Sequence, residues 1–70
     1  MTDQEYVVSS AKELLDILRE HGASQEPIEG GQHEGLMDKR FIAKVLHDDE
    51  QLLFYAEDAV LANKIYDDLF

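Results

Sequence analysis

Residues 39–56 read KRFIAKVLHDDEQLLFYA, and this stretch decides the fold because two alternating segments flank a short polar run. The alternation of apolar and polar side chains predicts one strand over 39–47 and a second over 51–56. The polar run at 47–50 predicts the turn between them, and the two strands therefore form an antiparallel hairpin.

Apolar side chains define the register of this hairpin. The residues predicted to face one another on the core side are Val45 with Leu52, Ala43 with Phe54, and Phe41 with Ala56. The reverse side then pairs Ile42 with Tyr55 and Lys44 with Leu53. A slip of one residue would scatter the apolar side chains over both faces, so the predicted register is the consistent one.

A capping pattern and an apolar stripe predict a first helix from about Ser10 to His21. Ser10 and Glu13 have the spacing at which two side chains satisfy the first free backbone amides of a helix reciprocally. The apolar residues that recur at helical spacing are Ala11, Leu14, Leu15, Ile17 and Leu18. Gly22 follows where a helix commonly ends in a left-handed residue, and the β-prone segment 5–8 precedes the helix.

The second half of the chain ends in another predicted helix. Glu57 and Asp58 open it, since acidic side chains suit the positive end of the helix dipole. Its predicted buried residues are Leu61, Ala62, Ile65 and Leu69. All four glycines and the only proline fall within 22–35, which predicts a long loop between the two halves of the chain.

These elements predict the α+β fold class. Residues 1–70 are expected to form a single small two-layer acidic domain, in the order β-α-long loop-β-β-α. The antiparallel hairpin packs against the two helices, and hydrophobic residues, at 44% of the chain, are enough for one small core. A domain of 70 residues has no room for a deep active-site cleft.

The charge balance is the strongest signal in the composition. Sixteen Asp and Glu residues against six Lys and Arg residues give a formal net charge of −10. This charge repels nucleic acid and anionic membranes, so neither is an expected direct partner. The absence of cysteine, of a membrane-spanning apolar run and of a basic leader predicts a cytoplasmic protein without disulfides.

The pattern of potential catalytic and metal-binding residues predicts no catalytic site, no metal site and no cofactor. His21, His33 and His47 lack the short spacings that are typical of zinc sites. The acidic run 48–50 lacks the alternation and the closing Glu of a calcium loop. No two of the sixteen carboxylates stand out as an acid and base pair, so we expect a protein that is not an enzyme.

Several acidic residues occupy positions that helix electrostatics disfavours. Glu13, Asp16 and Glu20 recur on the outward face of the first helix, where like charges repel. Asp67 and Asp68 lie in the last turn of the second helix, at the negative end of its dipole. This placement favours an external electrostatic role, the attraction of a cationic surface, although an acidic surface that only raises solubility is the other interpretation.

In size, acidity, lack of cysteine and compact α+β pattern, the chain resembles the small phage-encoded inhibitors that mimic DNA. Within that group it is similar in scale to those that block HU-type nucleoid proteins. The resemblance implies a dimeric or partner-seeking inhibitor that competes for the basic surface of a host DNA-binding protein. Other members of the class block restriction enzymes, CRISPR effectors, RNA polymerase or uracil-DNA glycosylase, and the sequence does not choose among these targets. The expected phosphate mimics are Glu13, Asp16, Glu20, Asp48, Asp49, Glu50, Asp67 and Asp68.

The alternative is a non-enzymatic interaction or regulatory module that uses the apolar reverse face of the hairpin. The residues of this expected patch are Ile42, Leu46, Leu53 and Tyr55, edged by Arg40 and Lys44. Pairing of two copies through the same patch predicts a homodimer with its acidic residues on the outer ends, an extended anionic rod that would better imitate a duplex. The other possibility is that the loop 22–38, with Ile28, Leu36 and Met37, folds back over this face.

Overall fold

The computed structural model describes residues 2–30 and 40–69 of the chain. These residues form a mixed α+β domain, as the sequence predicts, with two helices and a four-stranded sheet. The elements are β1 Thr2–Val7, α1 Ala11–Glu20, β2 Glu29–Gly30, β3 Phe41–His47, β4 Glu50–Tyr55 and α2 Ala59–Leu69. The first strand of the hairpin is predicted to begin at Lys39, which lies outside the described residues. Arg40 lies in a turn, and β3 begins at Phe41.

The sheet has the strand order β1-β4-β3-β2. β1 pairs with β4 in parallel, and β3 pairs antiparallel with both β4 and β2. The sequence predicts a shorter first strand and no strand in the long loop. β2 consists of Glu29 and Gly30, and two residues are too few to show the alternation that predicts a strand.

The turn of the β3–β4 hairpin confirms the prediction at 47–50. Asp48 and Asp49 have φ values of 48° and 64°, the left-handed geometry of a two-residue type I′ turn. This geometry matches the twist of the flanking strands and sets their pairing at the turn. The register is as predicted for Val45 with Leu52, Ala43 with Phe54 and Lys44 with Leu53.

The far end of the hairpin departs from the predicted register. An irregularity between Phe41 and Ala43 shifts the pairing, so Phe41 lies opposite Tyr55. The predicted pairs of Phe41 with Ala56 and of Ile42 with Tyr55 are therefore wrong. Ile42 turns into the core, with 0% exposure, and the Phe41 ring meets the Tyr55 ring edge to face at 5.6 Å.

The core lies between one face of the sheet and the two helices. The largest completely buried side chains are Val8, Leu14, Leu18, Ile42, Val45, Leu52, Phe54 and Ile65. Tyr6 of β1 stacks on Phe54 of β4 with ring centroids 5.6 Å apart. Leu15 is exposed, so the buried stripe of α1 is narrower than predicted.

Both predicted helix caps are present. Ser10 Oγ accepts a hydrogen bond from the Glu13 backbone N–H at 3.1 Å, while the Glu13 carboxylate accepts from Ser9 rather than Ser10. Gly22 has a φ of 73°, the left-handed value expected after the helix end. Asp58 caps α2, because its Oδ1 accepts from the Leu61 N–H at 2.8 Å.

Candidate functional site

Two histidines and four carboxylates lie around the β3–β4 turn, and we call this group the hairpin end. Its members are His21, Glu26, His47, Asp48, Asp49 and Glu50. The cap of α1, the segment after that helix and the turn itself supply these side chains. The tight turn presents its acids to solvent, since the Asp48 side chain is 87% exposed.

His47 lies between two carboxylates of the hairpin end. Its Nδ1 is 3.6 Å from Glu26 Oε1, and its Nε2 is 3.3 Å from Asp48 Oδ2. Gly22 lies close to the same ring, because a Cβ atom added there would stand 3.9 Å from His47 Nε2. Glu26 was not among the predicted site residues, and nothing in its sequence neighbourhood indicates that it meets His47.

His21 connects three elements at the hairpin end. Its Nε2 is 2.6 Å from the Tyr6 hydroxyl oxygen, and its Nδ1 is 3.9 Å from Glu50 Oε2. In the tautomer with a proton on Nδ1, Tyr6 O–H donates to Nε2 and the Nδ1–H faces the Glu50 carboxylate. This contact brings the C-terminus of α1, with its negative dipole end, to the acidic start of β4.

The predicted acids of α1 are partly engaged within the protein. Lys12 Nζ is 3.2 Å from Asp16 Oδ2, and Glu13 accepts hydrogen bonds from Ser9. An exposed pair of this kind contributes little to stability, and the lysine offsets the charge that Asp16 presents to a partner. Glu20 is exposed in the last turn, beside the His21 cap.

Asp67 and Asp68 are exposed near the end of α2. The last turn of α2 contains no basic residue, so their charges add to the negative end of the helix dipole. No hydrogen bond or ion pair among the described residues joins them to the hairpin end. Of the predicted phosphate mimics, Asp48, Asp49 and Glu50 therefore belong to the hairpin end, and the others lie on the two helices.

The predicted apolar patch on the reverse face is not a continuous exposed surface. Ile42 is in the core, because the register shift turns it there, and Leu53 is only 9% exposed. Leu46 is 45% exposed and Tyr55 is half-buried. The predicted exposure of Ile42 and Leu53 is wrong.

The loop expected to cover the reverse face is only partly described. Ile28 packs against the core cluster and not over the reverse face of the hairpin, which was one of the two possibilities predicted for this loop. Leu36 and Met37 lie outside the described residues. Lys44, at the edge of the expected patch, pairs with Glu29 of the short strand β2 at 3.5 Å.

A shallow concavity of about 360 Å³ opens beside β1, with Glu5, Val7, Arg40 and Tyr55 among its lining residues. Val7 lies opposite Tyr55 in the parallel β1–β4 pairing, which places both on the reverse face. The sequence interpretation did not detect this concavity, because it depends on a strand pairing between residues far apart in the chain.

Similarity to known proteins gives no indication of what this chain does. No family model, curated protein or solved structure matches the chain. The described residues contain no group of three or more His, Asp or Glu side chains that could hold a metal ion, and His33 lies outside them. No helix among them is long and apolar enough to cross a membrane.

Proposed function

We propose that this protein is a DNA-mimicking inhibitor, not an enzyme, that occupies the basic DNA-binding surface of a cytoplasmic host protein. An HU-type nucleoid protein is the favoured target. The observation that supports this proposal is the exposed turn of the hairpin end. There, Asp48 and Asp49 project from adjacent left-handed residues, next to the carboxylates of Glu26 and Glu50.

The remaining charge distribution supports the same function. The chain has a formal net charge of −10, and two of its lysines, Lys12 and Lys44, are engaged by acids of the protein. An anionic field of this size accelerates encounter with a cationic groove and disfavours acidic partners. The mechanism is competition, because a groove filled with carboxylates has no room for phosphates.

The dimensions of the molecule suit this mechanism. Its extents are 30 × 26 × 18 Å, and the longest corresponds to the axial rise of about nine base pairs at about 3.4 Å each.

A competition experiment tests the proposal. A labelled duplex bound to a purified HU-type nucleoid protein is titrated with this protein, and displacement is followed by fluorescence anisotropy at several salt concentrations. Displacement should weaken steeply as salt rises, since charge pairs are screened. The double variant Asp48→Asn/Asp49→Asn should compete about thirtyfold less well, because each of the two lost charge contacts is worth on the order of 1 kcal/mol.

The control for this experiment is Glu29→Gln/Glu57→Gln, which removes the same amount of charge from two exposed residues outside the predicted phosphate mimics. Because Glu29 also pairs with Lys44, Glu57→Gln alone is compared with Asp49→Asn alone as a second control. Asparagine tolerates the left-handed conformation, so the turn variant keeps its fold. Equal losses in both variants would show that only net charge acts, and failure of the unmodified protein to displace the duplex would refute the HU-type target.

The second candidate function is an interaction module that pairs through the reverse face. The 45% exposure of Leu46 favours it, although the burial of Ile42 and Leu53 leaves a smaller apolar surface than expected. Sedimentation equilibrium at micromolar concentration tests the predicted homodimer. A dimer that Leu46→Lys converts to a monomer would support this surface, whereas a mass of 8.0 kDa for the unmodified protein would refute it.

A further inference from the structure

We propose that the outer edge of β1 accepts an extended cationic segment of the partner as an additional strand. The basic character of that partner rests on the proposed function, but the surface is separate from the hairpin end. β1 is a terminal strand of the sheet, and the part of the chain that the structure describes contains no strand beyond it.

The backbone directions in β1 identify the groups that face this open edge. The Val8 N–H donates to the Tyr55 carbonyl oxygen at 2.8 Å, so the backbone of Val8 faces β4. Successive residues of a strand direct their N–H and C=O groups to opposite sides. The backbone groups that face away from β4 therefore belong to Asp3, Glu5 and Val7.

β1 is better suited to strand addition than the opposite edge of the sheet. It has six residues, a length of about 20 Å, whereas β2 has only two. Its sequence, TDQEYV, contains no proline or lysine, and the register shift of the sheet is in β3. Proline, lysine and bulges are devices by which proteins prevent pairing at an exposed edge, and β1 has none of these three. Its charged residues are Asp3 and Glu5, which disfavour an acidic strand but not a basic one.

The charges on β1 select a cationic occupant. Asp3 and Glu5 are both exposed and alternate along the same face as Val7. Pairing of two copies of β1 would bring like charges together across the strands, which is destabilising. A segment with Lys or Arg at alternate positions would instead pair with these carboxylates.

The concavity beside β1 adds a pocket on the same face. Glu5 and Val7 line it together with Arg40 and Tyr55, and Val7 is 64% exposed. An apolar side chain of the added strand would lie in this concavity and bury Val7. The preferred segment therefore has basic residues near Asp3 and Glu5 and an apolar residue near Val7.

Amide hydrogen exchange of the full-length protein, followed by NMR, tests the inference. The probe is an acetylated, amidated octapeptide, Lys-Thr-Lys-Thr-Val-Thr-Thr-Thr, whose two lysines and one valine share a face and match Asp3, Glu5 and Val7. On its addition, the exchange of the Asp3, Glu5 and Val7 amides should slow at least about tenfold, because they acquire hydrogen-bond acceptors. The Gln4 and Tyr6 amides face β4 and should already be slow without the peptide.

Two controls separate backbone pairing from charge attraction. The same peptide N-methylated at alternate residues keeps its charge but cannot form the ladder, so it should give no protection of these amides. Val7→Pro removes an outward N–H without touching the β4 ladder and should weaken peptide binding about fivefold or more, whereas Val7→Thr keeps that N–H. Unfolding curves establish that both variants are folded.

The results distinguish this inference from the proposed function. Absence of peptide binding, or binding without slower exchange at the three outward amides, would refute strand addition even if the protein displaces a duplex. Peptide binding lost in Asp48→Asn/Asp49→Asn but kept in Val7→Pro would also refute it, since the hairpin end would then be the binding surface. Slower exchange at the three amides would support it even if duplex competition fails.

Discussion

The two ends of the β3–β4 hairpin are set by different forces. At the turn, Asp48 and Asp49 adopt positive φ values, and a two-residue loop determines the pairing locally. At the far end, the register shift places Ile42 in the core and Phe41 on the reverse face. Local backbone geometry therefore controls the acidic end, whereas burial of an apolar side chain controls the other.

The largest expected effect is at the end controlled by burial. Ile42→Ala should destabilise the domain by about 2–5 kcal/mol, since it removes a completely buried side chain and leaves a cavity. Leu46→Ala on the same strand should cost less than 1 kcal/mol or so, because Leu46 is exposed. Chemical denaturation followed by circular dichroism measures both.

A milder substitution covers the case in which Ile42→Ala does not fold. Ile42→Val should cost about 0.5–1.5 kcal/mol. Equal losses of stability in Ile42→Ala and Leu46→Ala would contradict the register shift, because the register predicted from the sequence exposes both side chains.

The turn should respond in the opposite direction. Asp48→Asn/Asp49→Gly should stabilise the domain by about 1 kcal/mol, because asparagine and glycine accept positive φ more readily than aspartate. Asp48→Asn/Asp49→Asn removes the same charge at the same positions, so its difference from Asp48→Asn/Asp49→Gly isolates the backbone contribution of glycine at position 49. The stabilised turn variant should also compete less well for the nucleoid protein, as it lacks both exposed carboxylates.

Stability and duplex competition, measured on the same turn variant, show whether the aspartates are present for backbone geometry or for their charge. Higher stability with weaker competition would indicate that the aspartates are kept for function at the expense of backbone preference. A turn variant of unchanged or lower stability would contradict the type I′ assignment.

A third effect concerns the contact that joins β1 to the hairpin end. Tyr6→Phe removes the hydroxyl that lies 2.6 Å from His21 Nε2 and should destabilise the domain by about 1 kcal/mol. In a His21→Ala background the same substitution should cost much less, since the partner is already absent. Thermal unfolding of the four proteins measures this coupling, and additive losses would show that the hydrogen bond contributes nothing.

Prediction from the sequence succeeded where the structure depends on near neighbours. Ser10 and Gly22 mark the ends of α1 through caps a few residues long, and Asp58 does the same for α2. The strand alternation predicted the hairpin and its central register, because a slip by one residue would expose the core. The exposed aspartates at 48 and 49 follow from that turn.

Only the tertiary structure decided the rest. The parallel pairing of β1 with β4 joins residues nearly fifty positions apart, such as Thr2 with Glu50, and no local pattern specifies it. The contacts of Glu26 with His47 and of Tyr6 with His21 depend on how the helix packs over the sheet. Ile42 moved to the core because the free energy of burying it exceeds the cost of one irregular step in the strand.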